Sequence, residues 1–439
     1  MGKLNRQKKS LGLIELIAIA IGGMVGGGIF SILGVSATMV GFLTPVAIII
    51  GGIIAMLAAY SYVKLGVYYK DEGATYSFVK RTFSDSPVMA SFIGWLVIFG
   101  YISTLALYSY TFASYAISGT GYADSEWLRK GVAWGIILVF TLINVWSVVG
   151  MGKIEDLMVY TKLVILFVIS VLLIQHGQTD FGTFMQKMAE DAGHSSLLTI
   201  LIVASITFVA YEGFQLVINA VKEMNNPDKN IPRAIYGAIL IVISIYVVIA
   251  LGALFAIPLQ DLINNKEYAL ASGAKQVMGK IGLNLVVFGA ILATSSAISG
   301  TMFGSSRQLA VIAEDGFMPK FLAKRNKANI PVNAIIIMAL LASALILIGG
   351  LKLFLEFGSV TFLMVSILVA ITNYIIRDKT RSSKPVTVLS IAGLALSGVL
   401  ILYYELTHNW YQMLFIIVVY IILWLSAYFY SKERKQYTK

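Results

Sequence analysis

The sequence predicts an all-α integral membrane protein with twelve transmembrane helices. Of the 439 residues, 58% are apolar and only 13% are charged, whereas a soluble chain carries about 25% charged residues. The apolar residues gather into runs of roughly 20, the length that a helix needs to cross about 30 Å of hydrocarbon. One such run could be a signal or an anchor, but twelve runs require a polytopic protein.

The twelve runs follow one another without a hydrophilic domain or a long linker between them. They are residues 11–40, 44–66, 87–119, 131–150, 155–175, 196–221, 233–257, 281–306, 332–349, 353–376, 385–404 and 411–430. Because no hydrophilic segment divides these runs, we expect a single domain over 1–439. The first run contains Glu15 and lacks a small-residue cleavage site, so we expect no cleavable signal. The longest external loops are predicted at 176–195 and 258–280, the second with a surface helix within 267–280.

The net charge of +11 predicts an orientation in the membrane rather than a nucleic-acid partner. If the predicted spans alternate, 25 of the 33 Lys and Arg residues lie on the side of the N-terminus, and seven lie on the opposite side. The remaining one, Lys162, lies within the fifth span. Basic residues concentrate in cytoplasmic loops, so both termini are predicted to be cytoplasmic and the protein to lie in the cell membrane.

Two spans carry signs of an interrupted helix. The first span has five glycines in the seven residues 22–28, and each interior glycine costs about 1 kcal/mol of helix stability relative to alanine. Close packing through small residues would explain a single GxxxG pair. Five glycines exceed that need, so we predict an unwound segment. The sixth span has a second candidate break at 208–214, where Glu212 and Gly213 lie at mid-membrane.

Two interrupted helices that are five positions apart in the order of spans, the first and the sixth, suggest an inverted repeat. Residues 11–175 (spans 1–5) would form the first repeat and 196–376 (spans 6–10) the second, with two appended spans at 385–430. Such repeats place the substrate at the midplane between the broken helices. The inner ends of the half-helices offer free N–H groups and free carbonyls, an arrangement that suits a zwitterion.

The chain resembles the amino acid–polyamine–organocation permeases, particularly their proton-coupled, broad-specificity amino acid transporters. The first span ends its glycine run in Gly28-Ile29-Phe30, and the fifth span contains Lys162. Residues 225–233 (NNPDKNIPR) match the "NPxxNxPRA" loop of the family, and residues 314–319 (EDGFMP) match its "DGxxP" loop. The likeness covers nearly the whole chain in order, and the two loop motifs are specific.

The resemblance implies a fold of the leucine-transporter type and a substrate site between spans 1 and 6. The substrate would be bound mainly by backbone N–H and C=O groups, so the identity of the side chains at these positions constrains the site only weakly. The resemblance assigns the substrate carboxylate to the N–H groups of Gly26, Gly27 and Gly28, the ammonium to the carbonyls of Met24, Val209 and Glu212, and an aromatic gate to Phe208.

Lys162 lies too far from either end of its span to reach the interface easily. A mid-span lysine costs about 2.5–3.5 kcal/mol on insertion scales, so it should face protein or water. It could simply tie spans 1, 5 and 8 together. The resemblance implies instead that its ammonium replaces the sodium ion of related carriers, either carrying a proton or keeping a permanent charge. Span 8 offers hydroxyl groups for such a site at Thr294, Ser295 and Ser296.

Glu212 departs from the family, in which this position is commonly apolar. Its carboxylate could carry a proton, anchor a substrate amine directly, or accept from N–H groups freed by the break. A direct anchor would favour cationic amino acids or polyamines, whereas a proton carrier leaves neutral amino acids as substrates. The sequence leaves these roles open. Glu356, near the outer end of the tenth span, is expected at the membrane interface rather than in a site.

The function predicted from these features is proton-coupled, sodium-independent amino acid transport, with an amino acid or amine exchanger as the alternative. An enzyme is disfavoured because the sequence has no cysteine nucleophile, no phosphate-binding loop and no metal-ligand pattern within the spans. A channel would need a symmetric polar ring or a selectivity filter. We expect a small-molecule substrate, protons and the lipid bilayer as partners. No cofactor, metal, nucleic acid or partner subunit is indicated.

Overall fold

The computed structural model describes residues 11–71, 73–146 and 151–437, and their regular structure is helical. The basic residues within 1–10, Lys439 and the side chains of Lys153, Arg434 and Lys435 contribute to the predicted orientation and lie outside the described residues. The α-helices are α1 (Leu13–Met24), α2 (Gly28–Val40), α3 (Thr44–Tyr69), α4 (Ala74–Thr82), α5 (Pro87–Ile117), α6 (Glu126–Trp146), α7 (Met151–Gln175), α8 (Phe181–His194), α9 (Leu197–Ile206), α10 (Leu216–Asn219), α11 (Pro227–Ala256), α12 (Leu259–Asn264), α13 (Ala269–Glu314), α14 (Val332–Ile348), α15 (Leu351–Ile375), α16 (Arg377–Thr380), α17 (Lys384–His408) and α18 (Trp410–Tyr437).

The helices have the length and composition of membrane spans. Within the described residues, ten helical stretches are long and apolar enough to cross a bilayer, and α1 and α14 are shorter apolar helices. The helices differ in how far the protein buries them: 78% of the most apolar stretch of α15 is buried, but only 17% of that of α18. The peripheral helices α17 and α18 expose large apolar side chains, which suit a lipid environment: Leu389, Leu396, Val399, Ile421 and Leu425.

Two of the predicted external loops contain helices. The surface helix expected within 267–280 is present as the first part of α13, which bends at Gly279, where φ is +62° and a side chain would be strained. The loop 176–195 contains α8, which the sequence analysis did not predict. Asp180 caps α8, because its carboxylate accepts from the N–H groups of Gly182 and Thr183.

The centre of the bundle is built around α5. This helix packs against α13, α15 and α6, while α11 packs against α3, α1 and α7. On α5 the buried side chains include hydroxyl groups, among them those of Ser103, Thr111 and Ser114. Buried hydroxyls of this kind satisfy each other or the backbone: Thr111 and Ser31 lie 2.6 Å apart, and Ser103 donates to the Phe354 carbonyl. This core holds α1, α2 and the segment after α9 against each other.

Candidate functional site

The first span is broken where its glycines cluster. Helix α1 ends at Met24, and Val25 leaves the helical region with φ −83° and ψ 79°. Helix α2 starts at Gly28, so residues 25–27 connect two half-helices. The N–H of Gly26 donates to the Met24 carbonyl over 3.0 Å, which tightens the connection. The predicted unwound segment is confirmed.

The sixth span is broken as well, within the predicted range 208–214. Helix α9 ends at Ile206, a 3-10 turn covers Thr207–Tyr211, and Glu212 is extended with ψ 140°. Gly213 then has φ +125°, which L side chains rarely adopt, and a short helix, α10, follows. One glycine is sufficient here because only one residue takes the unusual conformation.

The two broken segments touch each other, and glycine makes the approach possible. A Cβ on Gly213 would lie 2.4 Å from the carbonyl carbon of Gly23, and one on Gly28 would lie 2.7 Å from the Cβ of Ala210. Both distances are far below van der Waals contact, so these positions exclude side chains. The contact explains why glycine occupies positions 28 and 213.

Tyr246 of α11 ties the two breaks together. Its hydroxyl lies 2.8 Å from the Met24 carbonyl and 3.0 Å from the Ala210 carbonyl, and the side chain is fully buried. Each of these carbonyls belongs to a residue where the helix is interrupted, so the tyrosine satisfies backbone acceptors that the breaks release. Sequence reasoning missed Tyr246, because a tyrosine in an apolar span carries no motif.

Ser359 of α15 plays a similar part for the sixth span. Its hydroxyl accepts from the Val209 N–H over 3.2 Å and donates to the Ile206 carbonyl over 2.6 Å. The Val209 carbonyl accepts from the Glu212 N–H. The backbone of this break is therefore largely satisfied from within the protein. A lone serine in an apolar helix gave no signal in the sequence.

Lys162 lies beside the break in the first span. The side chain is fully buried, and its ammonium donates to the Gly22 carbonyl over 2.9 Å. This carbonyl is in the last turn of α1, where the helix dipole favours a cation. On α13, Thr294 and Ser296 are buried and Ser295 is partly buried. The Thr294 hydroxyl donates to the Ala290 carbonyl of its own helix.

A cavity of about 720 Å³ leads to the two breaks from one side of the molecule. Its closed end is lined by Gly22, Gly23, Tyr108, Glu212, Gly213 and Ser296. Its mouth lies between the start of α4 and the end of α13, at Asp71, Ser77, Arg307 and the exposed Val311. This is the side on which the charge distribution predicts the cytoplasm.

Of the residues predicted to bind substrate, only Glu212 lines this cavity. The others are buried behind its wall within the protein: Met24, Gly26, Gly27, Gly28, Phe208 and Val209. Of the residues predicted for ion coupling, Glu212 and Ser296 line it, and Lys162 contacts a lining residue, Gly22.

The buried carboxylate of Glu212 is hydrogen-bonded through only one of its two oxygens. The side chain is 4% exposed, and its Oε2 accepts from the Gln215 amide nitrogen over 2.7 Å. The Gln215 oxygen accepts from the Gly213 N–H, which fixes the orientation of the amide. The other oxygen of Glu212, Oε1, has no hydrogen-bond partner among the described residues. Sequence reasoning found Glu212 but missed Gln215.

The expectation for Glu356 was wrong. Its side chain is fully buried, 3.7 Å from the ammonium of Lys352, and it contacts Glu405 of α17. A position near the end of an apolar run had suggested the interface. Two further helices, α17 and α18, cover that position, so burial there depends on tertiary packing.

The chain is similar in sequence to known membrane transport proteins. The chain is 29% identical to an uncharacterized protein of Methanocaldococcus jannaschii, over 98% of this chain and 97% of that protein. It is 29% identical to the inner membrane transport protein YbaT of Escherichia coli over 88% of each chain. It is also 26% identical to the chloroplastic cationic amino acid transporter 7 of Arabidopsis thaliana, over 83% of this chain and 65% of the plant protein.

The helical bundle and its relatives define the class: the protein is a multi-pass membrane transporter and not an enzyme. The family model described as amino acid permease matches residues 11–429. The chain therefore belongs to the amino acid permease family, which confirms the resemblance to amino acid–polyamine–organocation permeases and the amino acid transport that it implied.

Proposed function

We propose that this protein is a secondary active transporter that moves amino acids across the cell membrane by alternating access. The observation that carries the proposal is a cavity among the described residues that reaches two broken helices from the side of Asp71, Arg307 and Val311. On the other side of the first break, Phe30 and Tyr115 are buried and pack edge to face, with ring centroids 5.2 Å apart. A carrier that opens to one side at a time has this asymmetry in each end state.

We infer that the bundle has twelve spans arranged as an inverted repeat, 11–175 against 196–376, with two appended spans at 385–430. Support comes from the breaks, which lie in the first span of each repeat and contact each other. The mouth of the cavity lies on the side rich in Lys and Arg, so in this proposal the structure faces the cytoplasm, with both termini on that side.

We infer that the substrate carboxylate binds at the start of α2. The break leaves the first N–H groups of that helix without intrahelical partners, and the helix dipole favours an anion there. Gly27 and Gly28 supply these groups without side chains that would block the approach. Tyr108 lies between Gly27 and the cavity, so the carboxylate reaches these groups once this side chain moves.

We propose that Lys162 replaces a sodium ion and makes the carrier independent of sodium. Its ammonium already holds the carbonyl end of α1, a position that a bound cation would otherwise occupy. In this proposal Lys162 also couples transport to protons, because its proton could leave when α1 moves away. The hydroxyls of Thr294, Ser295 and Ser296 on α13 supply polar surroundings for the same region.

The test is uptake of radiolabelled amino acids into proteoliposomes with a pH gradient and no sodium. We expect wild-type uptake to rise with the gradient and Lys162→Ala to lose that response. Lys64→Ala is a matched control, because the Lys64 ammonium also donates to a backbone carbonyl, that of Arg381, but lies outside the cavity. Uptake that ignores the gradient but needs amino acid inside the vesicle would instead identify an exchanger.

A further inference from the structure

The carboxylate of Glu212 is buried, and only one of its two oxygens is hydrogen-bonded. Oε2 is occupied by Gln215, whose amide orientation is fixed by the Gly213 N–H. Oε1 is itself buried and has no hydrogen-bond partner within the described part of the chain, and the residue to which it belongs lines the cavity. An ionised carboxylate in a buried site is costly unless it is paired, so this position calls for a positive charge or a proton.

A proton on Glu212 would not by itself satisfy its unpaired oxygen. Because Gln215 donates to Oε2, a proton would reside on Oε1 and turn it into a donor, and no acceptor among the described residues meets Oε1. Protonation would therefore exchange an unpaired acceptor for an unpaired donor, which also carries a penalty. An ammonium group supplies the N–H donor and the positive charge together.

Among the described residues, the cations near the cavity have other partners. The Arg307 guanidinium stacks on Phe303, 3.4 Å from the ring centroid, and donates to the Phe303 carbonyl. Arg307 also lies eleven residues beyond Ser296 on α13, about 16 Å of helix. The Lys162 ammonium donates to the Gly22 carbonyl.

The walls next to Glu212 suit a cationic group. Tyr101, Tyr108 and Phe362 line the same cavity, and aromatic faces attract ammonium groups. The volume of about 720 Å³ lies within the range of ligand pockets and accommodates an amino acid with an extended side chain.

We propose that Oε1 of Glu212 binds a primary ammonium group of the substrate, so that the cavity selects amine-bearing amino acids through a side-chain ion pair. This inference rests on the proposed transport of amino acids through the same cavity. The ammonium is either the α-ammonium or that of a basic side chain, and both have the same chemistry. Gln215 acts as a positioning residue, because it holds Oε2 and leaves Oε1 for the ligand.

The test is equilibrium binding to the purified full-length protein, with three ligands of similar length. Norleucine has only the α-ammonium, lysine has a second one, and 2-hydroxyhexanoate has a hydroxyl in place of the amine. Wild type should bind norleucine or lysine at least about tenfold more tightly than 2-hydroxyhexanoate, as expected for a hydrogen bond to a charged group. This comparison needs no variant, so it holds even if a substitution impairs folding.

Glu212→Gln keeps the shape of the side chain and removes its charge. We expect it to weaken binding about 10- to 100-fold. A loss for both norleucine and lysine assigns the α-ammonium to Glu212, and a loss for lysine alone assigns the side-chain ammonium. Glu356→Gln is the matched control, since Glu356 is an equally buried carboxylate outside this cavity, and it should leave binding unchanged.

The inference is overturned if 2-hydroxyhexanoate binds wild type as tightly as both norleucine and lysine. It is also overturned if Glu212→Gln binds every ligand with wild-type affinity, including the case in which only the pH response of uptake changes. The two proposals fail separately. Binding that depends on Glu212 without uptake refutes transport, whereas uptake by Glu212→Gln with unchanged affinity refutes only the ammonium site.

Discussion

Gly26→Ala tests whether the unwound segment of the first span must pack directly on α13. A Cβ on Gly26 would lie 2.6 Å from the Cβ of Ala297 and 3.2 Å from a ring carbon of Tyr108. Carbon atoms pack best at about 3.5–4.0 Å, so the segment and α13 must separate by roughly 1 Å. Overpacking of this kind costs about 1–3 kcal/mol, and here it also displaces the wall of the cavity. We expect a lower melting temperature and slower uptake.

The structure also predicts how to reverse the effect. Ala297→Gly removes the Cβ atom with which the new Cβ of Gly26→Ala would clash. A glycine within α13 costs about 1 kcal/mol of stability. If the two substitutions were independent, the double variant would lose about 2–4 kcal/mol; with the clash relieved it should lose only about 1 kcal/mol. Gly398→Ala in α17 is the control, since a Cβ there meets nothing within 4 Å.

The assay is the melting temperature of the detergent-purified variants together with amino acid uptake into proteoliposomes. The double variant should melt above Gly26→Ala and recover part of its uptake. Wild-type stability and uptake in Gly26→Ala, or a double variant as unstable as the sum of its parts, would refute the close packing of this segment on α13.

Two further predictions concern the contacts that secure the fold. Tyr246→Phe leaves the buried carbonyls of Met24 and Ala210 with one partner fewer, so the variant should lose about 1–3 kcal/mol of stability; an unchanged melting temperature would contradict this role. At the start of α8, hydrogen bonds from Thr183 hold the pKa of Asp180 below its ordinary value of 3.8. A lowered folded pKa stabilises the helix above that ordinary value, and the stabilisation is lost as the pH falls through the folded pKa. Hydrogen exchange of α8, corrected for its intrinsic pH dependence, should therefore speed up in acid for wild type but not for Asp180→Asn, since asparagine caps without titrating.

Much of the fold was predictable because it depends on local composition. Apolar runs of membrane length predicted a bundle of apolar helices, and the cluster of glycines at 22–28 located the break between α1 and α2. Glu212 was recognised as a residue that needs an explanation, since a carboxylate amid apolar residues is costly in any packing. Each of these signals is carried by neighbouring residues along the chain, so no tertiary contact is needed to detect it.

The contacts that complete the site were not predictable in this way. Tyr246 and Ser359 are ordinary side chains in apolar spans, and they matter because folding brings them to backbone groups more than 30 residues away. The same holds for Glu356. Its position near the end of a span suggested the membrane interface, but α17 and α18 bury it.

The sequence by itself determined that this chain crosses the membrane many times, that two of its spans are interrupted, and that it resembles amino acid permeases. Hydrophobic length, glycine content and loop motifs are properties of short segments, and the bilayer converts them directly into helices and breaks. Only the tertiary structure decided which backbone groups at the breaks remain free, on which side the cavity opens, and that one oxygen of Glu212 is left unpaired. Those features depend on distances between segments remote in sequence, which no local pattern encodes.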